Sequence, residues 1–140
     1  MQRILAFDVG ERRIGVAVSD PLGYTAQGVE TYTRTDDLDA TVSHLLALAE
    51  RYRPVKLLFG MPRNMNGSYG AQAEATKAFA DAVLARWDGE YDFFDERLTT
   101  VTARRMLVEA DVRRDKRKKV VDKLAAVIIL QNYLDAHAVH

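Results

Sequence analysis

Three carboxylates in this sequence stand where water is not their obvious neighbour: Asp8, Glu96 and Asp122. Asp8 directly follows the apolar run Ile4-Leu5-Ala6-Phe7 across an expected strand end, and Glu96 follows Tyr91-Asp92-Phe93-Phe94-Asp95 in the same way. Asp122 lies between Val120-Val121 and Leu124, where a helix should be turning inward. Each has a plain explanation taken singly. Turn acids are common, Glu96 can pair with Arg97, and an acid near a helix start suits the helix dipole. Gathered at one point, however, three anions repel by about 1 kcal/mol or more per close pair. A hard divalent cation removes that penalty. Mg2+ prefers oxygen ligands and completes its shell with waters and substrate phosphates, and Mn2+ can take the same place. The chain has no cysteine, and His44, His137 and His140 lack a zinc-binding spacing, so zinc is not expected. The chemistry of such a carboxylate set is in-line displacement at phosphorus, with metal ions activating water and stabilising the leaving oxygen.

Phosphate chemistry also needs cations. Arg13, Arg63 and Arg97 each stand close to an expected strand end and are candidates for phosphate contacts, with surface charge or carboxylate pairing as the alternative. A denser source lies in residues 104–123, which hold nine basic and four acidic side chains. This segment carries +5 and the rest of the chain −5, although the whole balances at zero. Arg113, Arg114, Lys116, Arg117, Lys118 and Lys119 form its densest part. The plain reading is a solvated, flexible loop; the sharper one is a nucleic-acid arm. It has no aromatic residue, so base stacking by this segment is not expected.

The elements that must position these groups are legible from periodicity. Ile4–Phe7 and Ile14–Val18 read as two buried strands joined by a turn at Asp8–Arg13. Gly10 can supply a positive φ there, and Gly10 and Gly15 allow close backbone approach. A third strand falls within Ala26–Thr33. Helical spacing of Leu38, Val42, Leu45, Ala49 and Tyr52 follows, with Asp36, Asp37 and Asp39 at its start and Pro54 at its stop. Val55–Phe59 is a fourth strand, Ala71–Trp87 an Ala-rich helix stopped near Gly89, and Tyr91–Phe94 a fifth strand. A helix capped by Thr99 or Thr100 turns Ala103, Met106, Leu107 and Ala110 inward. Val120–Ala138 is a last, buried helix. Strands linked through helices are expected to be parallel. The fold expected is α/β: a mixed five-stranded sheet, three antiparallel strands then parallel ones, with helices on both faces. Strands one, four and five form its middle. Ligands on such sheets sit at the carboxyl ends of the parallel strands, which points at residues 8, 60–64 and 95–97.

At 140 residues, 48% hydrophobic and 29% charged, the chain is expected to be a single domain over 1–140 with a core that needs no staple. The apolar run near Met1 is too short for a signal peptide or membrane span. The expectation is a cytoplasmic protein without membrane contact, a monomer or weak dimer.

Several motifs together resemble the bacterial YqgF/RuvX family over essentially the whole chain. They are Asp8-Val9-Gly10, Arg13-Ile14-Gly15-Val16-Ala17, Ser19-Asp20, Gly60-Met61-Pro62, Asn64-Met65, Gly67, Asp95-Glu96-Arg97-Leu98-Thr99-Thr100 and Val121-Asp122-Lys123-Leu124-Ala125-Ala126. Met61, Arg63 and Asn66 depart from the residues commoner in that family. The resemblance implies an RNase H-like fold and a nuclease that matures the 5′ end of pre-16S rRNA, within a ribosomal precursor particle. It places the metal carboxylates at Asp8, Glu96 and Asp122. The family was formerly described as Holliday junction resolvases, so cleavage of branched DNA is the alternative within the same class. A non-catalytic RNA-binding factor in ribosome assembly or transcription is the alternative outside it. An actin-like ATPase is disfavoured, because one lobe and one phosphate loop are all this length supplies.

Overall fold

A computed structural model describes residues 3–62, 70–95 and 114–137, with the side chains of the last stretch from Leu124 onward. The elements are β1 (Ile4–Val9), β2 (Arg13–Ser19), β3 (Ala26–Thr33), α1 (Leu38–Tyr52), β4 (Lys56–Met61), α2 (Ala71–Leu84), β5 (Glu90–Asp95) and α3 (Arg114–Ala136). The helix expected near 99–110 lies outside the described residues.

The strands form one mixed sheet in the order β3-β2-β1-β4-β5. The pairs β1–β2 and β2–β3 are antiparallel, while β1–β4 and β4–β5 are parallel. The expected topology is therefore present, with one correction: β5 is an edge strand, not a middle one. The β1–β2 hairpin occupies one side of β1, so both parallel strands must add outward on its other side.

Alternation of side chains along the strands separates two cores. On one face Leu5, Phe7, Val9, Ile14, Val16, Val18, Leu57 and Phe59 pack with α1 and α2, through Val42, Leu45, Leu48, Ala49, Phe79, Ala80 and Val83. On the other face Ala6, Ala17 and Leu58 pack with Ala126, Ile129, Leu130, Tyr133 and Leu134 of α3. Ala6 and Ala17 are register partners. Their small side chains let the helix lie close.

Local chemistry sets the ends. Asp37 caps α1, accepting from the N–H groups of Asp39 and Ala40. Arg53, left-handed at φ 49°, closes the helix through its N–H on the Ala49 carbonyl. Helix α2 ends at Leu84, three residues before the expected Trp87, because the Trp87 indole turns away to donate to the Glu90 carbonyl at 2.9 Å. Gly89 is required under that ring, since a Cβ there would lie 2.5 Å from it. In the β2–β3 turn the Asp20 carboxylate accepts from the N–H groups of Leu22, Tyr24 and Thr25. These donors, Thr25 foremost, hold its pKa below the usual carboxylate range.

The last helix starts at Arg114, six residues before the expected Val120. The segment read as a flexible basic loop is helical from that point. Lys and Arg are good helix formers, and no Gly or Pro interrupts residues 114–136. Among the described residues no helix is long and apolar enough to cross a membrane.

Candidate active site at the carboxyl end of the sheet

Asp8 lies inside β1 rather than after it, opposite Gly15 of β2. Alternation puts it on the face of Ala6, the face α3 covers. Its side chain is half-buried. Arg13 opens β2 and, two residues from Gly15, shares that face. A polar pair thus occupies the rim of an otherwise apolar interlayer.

The loop between the two strands is built around Gly10. Its N–H donates to the Arg13 carbonyl at 2.9 Å. A Cβ at residue 10 would lie 2.7 Å from that carbonyl oxygen. Close approach therefore requires the glycine; its φ is not positive, contrary to the expectation. Arg34, at the end of β3, braces the same loop. Its Nη1 donates to the Gly10 carbonyl at 2.8 Å and its backbone N–H to the Arg12 carbonyl at 2.7 Å. The guanidinium lies 4.8 Å from the Phe79 ring centroid. No motif singled out Arg34, because its role depends on two loops meeting.

Helix α3 approaches the same rim from the other layer. Its carboxyl-terminal half is pinned at two points. Gln131 accepts from the Ala26 N–H at 3.0 Å and donates to the Tyr24 carbonyl at 3.0 Å, beside the start of β3. The Tyr133 hydroxyl accepts from Lys56 Nζ at 2.8 Å and donates to Asp92 Oδ2 at 2.9 Å, on β4 and β5. Lys56 is a register partner of Ile4, at the beginning of β1. The end of α3 therefore lies at the start of the parallel strands, and its beginning points toward their carboxyl ends.

The lengths agree. Eleven helical residues separate Tyr133 from residue 122, about 16 Å at 1.5 Å each. Four strand residues separate Ile4 from Asp8, about 13 Å. Eleven residues also return to the same helix face within about 20°. Position 122 thus falls in the same helical repeat as Ala126, Ile129 and Tyr133, which are buried, about as far from Tyr133 along α3 as Asp8 is from Ile4 along β1. Positions 114 and 116–119 fill the turns beyond it. They put five basic residues at the positive end of a helix, which leaves that end in want of anions.

Glu96, Arg63, Arg97 and Arg113 lie outside the described residues. Asp122, Arg114, Lys116, Arg117, Lys118 and Lys119 are placed as positions on α3. Among the described residues, no three His, Cys, Asp or Glu side chains gather as a metal group. A larger cleft of about 660 Å3, lined by Met61, Ala73, Lys77, Phe93 and Asp95 among others, opens between α2 and β5. It belongs to the α2 layer, whereas Asp8 faces α3.

The Lys56–Tyr133–Asp92 group also escaped sequence reading, since its members are far apart in the chain. Donation to Tyr133 raises the Lys56 pKa above the usual lysine range. Burial, first of all, raises that of the Tyr133 phenol.

Comparison with known proteins bears on this arrangement. A family model described as "RuvX: Holliday junction resolvase" matches residues 2–136. A protein of Heliobacterium modesticaldum named "Putative pre-16S rRNA nuclease" is 52% identical over 136 residues, covering 97% of this chain and 91% of that protein. One of Moorella thermoacetica with the same name is 53% identical over 133 residues, covering 95% and 94%. Among solved structures, Thermus thermophilus RuvC in complex with Holliday junction substrate superimposes with a TM-score of 0.58 at 12% identity, covering 97% of this chain and 95% of that one. At that identity the likeness speaks to the fold.

Proposed function

The chain belongs to the RuvX family, and on that premise we propose that it is a metal-dependent nuclease that hydrolyses phosphodiester bonds at the 5′ end of pre-16S rRNA. One observation supports the reading: Tyr133 of α3 is bonded to Lys56 at the start of β4, so the helix runs back from there along the face that holds Asp8, and position 122, eleven residues earlier, would come near Asp8. Glu96 enters as the residue immediately after β5, the parallel strand that ends at that rim.

The donor chemistry suits a hard cation. The three acids offer oxygen only, and Asp8 is half-buried, within reach of solvent yet backed by apolar core. Asp8, Glu96 and Asp122 would hold Mg2+ or Mn2+. When bound, the ion supplies charge stabilisation and a more acidic water for attack at phosphorus. The protein's own residues do the rest. Asp8 is fixed by the β1–β2 ladder and the glycine-closed loop. Arg13 on the same face, with Arg63 and Arg97, contacts the phosphate to be cleaved. The cations of residues 113, 114 and 116–119 hold the flanking backbone. Because phosphate contacts carry no sequence information, choice of site would come from the structure of the precursor particle.

The test is Asp8→Asn on precursor particles, with mapping of 16S rRNA 5′ ends. The expected result is loss of cleavage by at least about a hundredfold, with RNA binding retained. A four-way DNA junction forms the parallel arm. Cleavage of the junction but not the particle would move the substrate to DNA, and metal-dependent cleavage surviving in rigorously purified Asp8→Asn protein would remove the carboxylate mechanism.

A further inference from the structure

The apolar contact between α3 and the sheet does not by itself fix where the helix sits. Ala6, Ala17, Leu58, Ala126, Ile129 and Leu130 form an interlayer of apolar side chains, half of them alanine. Burial of such surface is non-directional. A small slide or rotation of the helix is opposed by packing, but no apolar contact specifies one position by direction as a hydrogen bond does. Such a slide would carry residue 122 away from the level of Asp8.

Hydrogen bonds are directional, and those that tie α3 to the sheet are placed on opposite flanks. Gln131 engages the β3 side. Tyr133 engages the β4–β5 side, accepting from Lys56 and donating to Asp92. The Asp92 carboxylate is itself oriented, accepting the Phe93 N–H at 2.8 Å on its other oxygen. Tyr133 is 2% exposed, so its hydroxyl has been drawn out of water for these two partners. Stability alone does not ask for that, because apolar residues of similar shape often serve as well as a buried polar group. What the polar group adds is a fixed register.

We propose that the Tyr133 hydroxyl, clasped between Lys56 and Asp92, is a positioning group that sets the slide and rotation of α3 and so keeps residue 122 abreast of Asp8. Tyr133 touches no reacting atom. It acts from three helical turns away, through one continuous helix in which the two positions are eleven residues apart. The inference rests on the proposed convergence of Asp8 and Asp122.

The absence of native cysteine makes a direct test available. Asp8→Cys and Asp122→Cys are combined, and cross-linking by a short bismaleimide is timed in the full chain, with and without Tyr133→Phe. Phe keeps the packed ring and removes both hydrogen bonds. The expected result is rapid cross-linking in the first protein and a rate at least about fivefold lower in the second, the loss corresponding to about 1 kcal/mol. Lys56→Met, which leaves the helix untouched, should slow it in the same direction. Mn2+ binding to the protein with its native carboxylates, followed by calorimetry, should weaken by a similar factor on Tyr133→Phe. Equal cross-linking rates and equal Mn2+ affinity, with only the melting temperature lowered, would make Tyr133 a packing residue and overturn the proposal. No cross-link in any background would instead overturn the convergence of the two acids, and the positioning role with it.

Discussion

At residue scale, Gly10 is as informative as the acid two places before it. Its importance does not come from a left-handed backbone. It comes from the Arg13 carbonyl, which would meet a Cβ at 2.7 Å. That obstacle is backbone, so it cannot swing aside. Gly10→Ala should therefore lower stability by about 1–3 kcal/mol, read from the urea midpoint, and should reduce cleavage because the displaced loop starts directly after β1. An unchanged midpoint would mean that the hairpin yields without strain. The glycine itself was legible in the sequence, but the reason for it was not. Sequence shows a permissive residue between two strands. Only the register of Val9 with Ile14 shows which carbonyl comes near. Arg34 and Tyr133 were illegible for the same cause, since each joins segments that no local pattern relates.

At the scale of the element, α3 shows how one helix can serve two environments. From Ala126 to Leu134 it is core. From Arg114 to Lys119 it is almost wholly cationic. The periodicity of apolar residues revealed the carboxyl-terminal half, and its absence before Val120 suggested that the helix began there. That inference failed because periodic apolar residues report burial, not helicity. A helical turn that is not packed on a core has no reason to keep them. The consequence is measurable. If four to six cations of the segment meet single-stranded phosphates, log K should fall against log[salt] with slope about −3 to −4. Replacing Arg114, Lys116, Arg117, Lys118 and Lys119 with Gln keeps helix propensity and should flatten that slope by about 3. A slope that does not respond would return the segment to ordinary solvated charge.

At the scale of the whole molecule, the sheet order was the most predictable property. Two apolar runs with a tight turn had to form a hairpin, and helix-linked runs had to lie parallel. The place of β5 did not follow, because a crossover rule fixes handedness and direction but not whether a strand adds beside β1 or beyond β4. The edge position matters for how the site can behave. Among the described residues, β1 is bonded to neighbours on both sides, β2 and β4, whereas β5 is bonded to β4 alone. Asp8 thus stands on a strand held from both sides, and β5 is held from one. Deuterium uptake should report this directly, with amides of Ala6 to Asp8 exchanging only on global opening and those of Tyr91 to Phe94 exchanging through smaller excursions. Equal protection of the two strands would contradict it. A sheet held on both sides at its centre and on one side at its rim keeps the strand of Asp8 in place while its outermost strand yields first.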